Sequence, residues 1–412
     1  MYAYPRLPAL VLNRSHLHWN WLRKLSVCAL ALSVSACGVT LPRLPTQGEI
    51  QGQRLQSTVD SPLARYYLES YLAGQRKIPE WDAQLDRLHD ESDEIFRDHM
   101  RLRTLSHAYS VDTLALFFAH RLLENPQNRE IQIEFERQLQ TLQAAGNGGV
   151  SADALEQQYR VVFIPGWLYR SKPWTGADFA GPRAILDRMG MDHRFIPLLD
   201  NGPIEDNAHL IAQGLLPLLQ DGKPVIVVSG SKGSPEVAIA LGQLLSAEQS
   251  RPIKAWLNIC GALEGSPLAN QWTSWPNSWL TNFIFRTRGW GGLAGLESMR
   301  LERSRRRSAQ ITIPPHITVV NYVGVPVSGT IFEKEFEKRF TYTHLRQHGP
   351  NDGLVLIPDE VARNSITVTE LGRGHFLSEP DFDVRATALL QAVIQRLPAS
   401  ELRTGLLPDP SP

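Results

Sequence analysis

The string VIVVSGSKGSPEVAIAL, Val225 to Leu241, constrains this chain more than any other stretch. A continuous apolar, β-branched run turns through Ser229-Gly230-Ser231-Lys232-Gly233 straight into a helical pattern. A strand that is apolar at every position is covered on both faces, and a turn this short presses the strand end against the helix start. Only small residues fit two positions before and two after the apex, where Ser229 and Gly233 stand. The string therefore predicts strand, sharp turn and helix, with Ser231 exposed at the apex.

Five further short runs have the same texture: Tyr159 to Ile164, His193 to Leu198, Ile253 to Ile259, His316 to Val323 and Ser365 to Leu371. Helical stretches near 177 to 190, 206 to 220 and 235 to 247 separate them. Apolar strands alternating with helices predict an α/β fold, a doubly wound, mostly parallel sheet over residues 151–398. Residues 61–145 read as a helical region, with segments at 62–74, 80–100 and 129–144 and the clearest at 110–126, opening on Ser110 as an N-cap. His89, His99, His107 and His120 fall there without the pattern of a metal-binding helix, and no metal is expected. The glycine-rich stretch Ala144 to Asp153 is a linker.

A serine hydroxyl needs a base and an orienting acid before it is a nucleophile. Gly372-Arg373-Gly374-His375-Phe376 follows the last strand, where a loop projects over the carboxyl edge of a parallel sheet, so His375 is the candidate base. Five carboxylates lie near it. Asp359 and Glu360 open an expected helix, PDEVARN, whose N-terminus they would serve, and Asp381 and Asp383 come after the histidine, against the chain order of the family that the motifs below resemble. Asp352, in the turn Pro350-Asn351-Asp352-Gly353, is the candidate acid. The glycine–serine turn lacks the spacing of a phosphate-binding loop, so no nucleotide and no other cofactor is expected.

Taken together, FIPGW (Phe163 to Trp167), SGSKGS (Ser229 to Ser234), CGALEGSPLA (Cys260 to Ala269), NDGLV (Asn351 to Val355) and GHF (Gly374 to Phe376) resemble the α/β-hydrolase superfamily, within it the lipase and esterase branch. The resemblance covers residues 159 to 395. It departs from the family at Ser229, at Pro165 and at Ala262 to Glu264. It implies Ser231, Asp352 and His375 as a catalytic triad and the backbone amides of Trp167 and Lys232 as the oxyanion hole. It also implies a serine carboxylic-ester hydrolase acting through an acyl-enzyme on esters with apolar acyl groups. The same triad would serve an acyltransferase, and the scaffold without catalysis would serve as a binding module.

Between the strands, residues 270–315 form a long insert with Trp272, Trp275, Trp279, Phe283, Phe285 and Trp290, followed by the run Arg300, Arg303, Arg305, Arg306, Arg307. As a cap over the site, these tryptophans would bind the acyl chain, face a membrane or simply pack the cap. Cys260 reads as a small core residue.

Residues 1–36 carry Arg6, Arg14, Arg23 and Lys24 and no acid, and end in the apolar run LSVCALALSVSA, Leu25 to Ala36. Its length suits a signal peptide and falls short of the roughly 20 residues that span a bilayer. VSAC resembles the bacterial lipobox, which implies lipidation of Cys37 with palmitate among the acyl groups. The expectation is an exported lipoprotein of the bacterial cell envelope, held at the outer membrane through this anchor. A plain secretory signal is the alternative. Residues 37–60, rich in Pro, Gln, Gly and Ser, read as a tether, and 399–412 as a disordered tail. The whole chain has 42 basic and 42 acidic residues. Without the four cations of the leader, 38 basic face 42 acidic residues, so no nucleic-acid partner is expected. The sequence is silent on oligomeric state.

Overall fold

The computed structural model describes residues 42–146, 151–332, 336–375, 379 and 381–397. The leader, Cys37 and the tail from 398 lie outside them. Two strands, β1 (Leu44–Ile50) and β2 (Gln53–Val59), form an antiparallel hairpin. The other six, β3 (Arg160–Ile164), β4 (Asp192–Phe195), β5 (Val225–Gly230), β6 (Ile253–Ile259), β7 (Thr318–Val325) and β8 (Ile366–Leu371), form one sheet. Its order is β4-β3-β5-β6-β7-β8, and every neighbouring pair is parallel.

The inner strands β3, β5, β6 and β7 are apolar and buried on both faces, as strands of a parallel sheet are. Val161, Phe163, Ile226, Val228, Leu257 and Val320 pack on one side in a core with helices Pro126–Ala145, Ala180–Met189 and Phe382–Arg396. Their neighbours Val162, Ile164, Val225, Val227, Trp256 and Val319 pack on the other side with Ile204–Leu215 and Gly233–Ile239. Two apolar faces of one sheet can be removed from water only by helices on both.

Two expectations are corrected here. Residues 44–59 are not tether: Ile50, Leu55 and Val59 are buried against Tyr67, Leu68 and Phe117, and the turn Gln51-Gly52 takes positive φ at both residues, as a two-residue hairpin requires. The segment 80–100 is not one helix but Pro79–His89, a 3-10 turn Asp93–Phe96 and the start of His99–Tyr109, where Asp98 accepts from the amides of Met100 and Arg101. Ser110 does cap Val111–Glu124, its hydroxyl accepting from Thr113 N.

The helical region and the hairpin are bonded to the sheet through side-chain amides. β8 is an edge strand, and its amides at Thr367, Thr369 and Leu371 are accepted by Asn128 Oδ1 at 2.7 Å, Gln132 Oε1 at 3.0 Å and Gln53 Oε1 at 3.1 Å. A second tie is a buried cluster: the Asp112 carboxylate accepts from Asp60 N, Ser328 N, Ser328 Oγ and Tyr342 OH, while Arg346 donates to Asp60. No helix among the described residues is long and apolar enough to cross a membrane.

Candidate active site

The turn after β5 is as tight as its sequence demands. Ser231 has φ +51°, a left-handed conformation that costs a non-glycine residue energy and persists where the surroundings fix it. Ser231 N donates to Ile259 O at 3.0 Å, and Ser231 O accepts from Ser234 N at 3.2 Å and Ala262 N at 3.1 Å. Gly233 faces the carbonyl of Pro165 with no room for a side chain, and a Cβ on Gly166 would lie 3.4 Å from that of Ser231. Ser229, at the place of the family's first glycine, is buried; its Oγ meets Ser234 Oγ at 3.0 Å and accepts from Trp256 Nε1 at 2.8 Å. The departure at Ser229 thus supplies a hydrogen bond under the elbow, and Ser234 is spent on it.

His375 reaches the apex from the loop after β8. Its Nε2 lies 2.8 Å from Ser231 Oγ, and its Nδ1 is bonded to Asp352 Oδ2. Asp352 is fully buried, and its other oxygen accepts from Leu354 N at 2.9 Å and Val355 N at 2.7 Å. The two loops are also joined backbone to backbone, His375 N donating to Asp352 O at 3.0 Å. The imidazole is thus held between the Asp352 carboxyl on Nδ1 and the Ser231 hydroxyl on Nε2, the geometry in which an acid can orient a base toward a serine. The structure thus brings together Ser231, His375 and Asp352, residues 144 and 23 apart in sequence.

Trp167 and Lys232 flank the same apex. Neither backbone amide has an acceptor among the described residues, whereas the next one, Leu168 N, donates to Asp200 O at 2.9 Å. The Trp167 indole is drawn away from the site: Nε1 donates to Asn201 Oδ1 at 2.8 Å, and the ring packs 5.9 Å from Phe285. Lys232 is buried and paired with Glu236, which also accepts from Asn207 Nδ2 at 2.9 Å. Burial raises the Glu236 carboxyl and the Lys232 ammonium opposes the rise. Both side chains are thus engaged by partners other than Ser231 and His375.

The insert packs on this side through Helix Pro267–Thr273, Asn277–Thr287, Ala294–Glu297 and Leu301–Ser308. Trp272 is half-buried in a cluster with Trp167, Phe285 and Trp290. Trp275 and Trp279 are not enclosed in an acyl pocket: they are 88% and 74% exposed, and Trp279 stacks on Phe283, itself 57% exposed. Asn201, which the sequence did not single out, joins cap to site, its Nδ2 donating to Trp290 O and Gly292 O at 2.8 Å each. The loop CGALEGSPLA joins the elbow to the Asp352 loop: Ala262 N holds Ser231 O, and Ser266 Oγ donates to Leu354 O at 2.6 Å.

The PDEVARN helix is corrected to one 3-10 turn, Ile357–Glu360, followed by extended Val361. Asp359 meets His99 Nε2 at 2.8 Å, and Glu360 is buried behind Asp352. Two groupings of histidine with acid, His89-His120-Glu124 and His99-Glu264-Asp359, bring ligand atoms within 4.8 Å of one another. Arg121 lies 3.7 Å from Glu124, and Arg97 and Arg305 each lie 3.9 Å from Glu264, so cationic side chains already balance both. Burial pushes the Cys260 thiol well up, which keeps it protonated and unsuited to attack.

The sheet order, the elbow after the third strand of that sheet, and the acid and base after its fifth and sixth strands are the α/β-hydrolase arrangement. No sequence family and no characterised relative matches the chain. Among solved structures it is similar to the metagenomic carboxyl esterase MGS0156, at 19% identity over 60% of this chain and 76% of that one, with a TM-score of 0.46. It is also similar to the Bacillus licheniformis lipase BlEst2 in mature form, at 20% identity over 61% of this chain and 95% of that one, TM-score 0.46. A third is phospholipase PlaB from Legionella pneumophila, at 16% identity over 49% and 45%, TM-score 0.35. At this similarity the neighbours' substrates do not transfer to this chain.

Proposed function

We propose that the chain is an exported, lipid-anchored serine hydrolase that cleaves carboxylic esters with apolar acyl groups. The observation that carries the reading is the Ser231–His375 contact of 2.8 Å with buried Asp352 bonded to the far side of the imidazole. Ser231 Oγ attacks the ester carbonyl as its proton passes to His375 Nε2. The oxyanion so formed is met by the amides of Trp167 and Lys232, each such donor contributing about 2.7 to 4 kcal/mol of transition-state stabilisation. The alcohol leaves with the proton from His375, and a water, deprotonated by the same nitrogen, releases the acid from the acyl-serine. The preference for apolar acyl groups rests on the aromatic cap around Trp272, Phe285 and Trp290. Export and anchoring rest on the leader and Cys37 alone.

The test is a fluorophosphonate label together with p-nitrophenyl esters of increasing chain length. Wild type is expected to label and turn over, and Ser231→Ala to do neither while keeping its circular dichroism. Equal labelling of both proteins overturns the nucleophile. Equal incorporation of radiolabelled palmitate by wild type and Cys37→Ser overturns the anchor.

A further inference from the structure

Behind the triad lies a second carboxyl that the chemistry above does not use. Glu360 ends the 3-10 turn Ile357–Glu360 and is fully buried, its backbone fixed by Asn258 Nδ2, which donates to Glu360 O at 2.7 Å. An oxygen of its carboxyl, an oxygen of Asp352 and the Cys260 sulfur lie within 4.8 Å of one another. Among the described residues, neither Glu360 carboxyl oxygen receives a hydrogen bond from a donor group.

The donors decide which of the two acids is charged. Two ionised carboxylates this close, out of water, repel each other at low dielectric, and one of them has to be neutral. Asp352 is supplied with Leu354 N, Val355 N and the His375 imidazole; Glu360 is supplied with none. A bare buried carboxylate is left without the donors that water would give it, whereas a carboxylic acid brings its own O–H donor. A carboxylate acceptor, an oxygen of Asp352, lies within 4.8 Å of it.

We propose that Glu360 is a positioning residue for the catalytic acid, a neutral carboxylic acid whose O–H is donated to the Asp352 carboxylate and steadies it against His375. The role rests on the serine-hydrolase reading above. The titratable groups that face Glu360 are Asp352 from its own loop, Asp359 next to it and paired with His99, and the Cys260 thiol at the end of β6. Burial first, and then the charges of Asp352 and Asp359, hold its carboxyl well above the usual carboxylate range.

Glu360→Gln keeps a neutral donor of the same shape, and Glu360→Leu removes it. Glu360→Gln is expected to stay within about threefold of wild-type kcat with the acid limb of its kcat/KM profile unmoved, because one neutral group replaces another. Glu360→Leu is expected to lose about ten- to hundredfold in kcat at similar KM, the size of a lost hydrogen bond to a charged group, with the acid limb shifted upward. The infrared spectrum of wild type minus Glu360→Gln at neutral pH should contain the C=O stretch of a protonated carboxylic acid, a measurement that needs no turnover and no soluble Leu variant. Absence of that band, or an acid limb that moves to lower pH in Glu360→Gln, shows an ionised Glu360 and overturns the proposal. If wild type and Ser231→Ala label equally, the hydrolase reading falls and this role with it, whatever the infrared spectrum shows.

Discussion

Gly233 packs against the carbonyl oxygen of Pro165 so closely that a Cβ on the glycine would overlap it and would lie 3.3 Å from Ile164 O. The elbow and the loop after β3 are therefore one packed unit, and the turn that carries Lys232 is fixed by the same contact. Gly233→Ala is expected to cost roughly 1 to 3 kcal/mol, the range of overpacking in a tight site, and to lower kcat in the molecules that still fold. Urea denaturation and the turnover of a soluble ester, measured on the same preparation, check both halves. Unchanged stability would mean that the loop yields.

The acid assignment separates two neighbours. Asp352 faces His375, whereas Asp359 faces His99. Asp352→Asn should cut kcat by up to about 10⁴, the loss seen when a triad carboxylate is replaced by its amide. Asp359→Asn should leave kcat near wild type and lower the melting temperature instead. The reverse ranking would move the acid to Asp359.

Most of this site was legible because it is built from short strings whose chemistry is local. SGSKGS carries its own turn, and GHF follows its own strand. Glu360 was not legible: at the head of PDEVARN a carboxylate reads as serving a helix N-terminus, and only the buried turn that replaces that helix shows it facing Asp352. Asn201 was hidden for a similar reason, since its partners Trp290 and Gly292 are about ninety residues away. The four inner strands could be read from continuous apolar runs, whereas the edge strand β4 carries Asp192, His193 and Arg194 and meets the run His193 to Leu198 only in part. The hairpin could not, because Gln53 works through its amide and the apolar positions Ile50, Leu55 and Val59 are too sparse to show a period. Its one local signal was the Gln51-Gly52 pair.

The cluster around Asp112 should make stability depend on pH. Burial first, then the Asp60 charge, raise its carboxyl from 3.8 to about 7, against the opposing pull of Arg346. Between those values the folded chain holds a proton that the unfolded chain has released, so this group's contribution is full below about pH 4 and is lost as pH rises through about 7. Asp112→Asn cannot titrate. The difference in unfolding free energy, wild type minus Asp112→Asn, should fall between pH 4 and pH 8 in urea titrations, and a flat difference would place the proton elsewhere.

Trp275 and Trp279 stand in solvent, so their loss should not disturb the core. The double Ala variant is expected to match wild type in melting temperature and in hydrolysis of p-nitrophenyl acetate, exposed substitutions staying within about 0.5 kcal/mol. On emulsified long-chain esters it should turn over more slowly, because exposed indoles favour the boundary between water and lipid. Equal rates on both substrates would leave the pair without a part in catalysis.

The three side-chain acceptors along β8 have a consequence for the chain as a population. An outer strand with free amides at alternate residues is a template on which a second molecule can add a strand. Asn128, Gln132 and Gln53 occupy the amides of Thr367, Thr369 and Leu371 as a seventh strand would, without being one. The helical region and the hairpin thus end the sheet. A body stripped of them would lose more than packing: its sticky border would invite growth from one molecule to the next, and the safeguard against that is three uncharged amides.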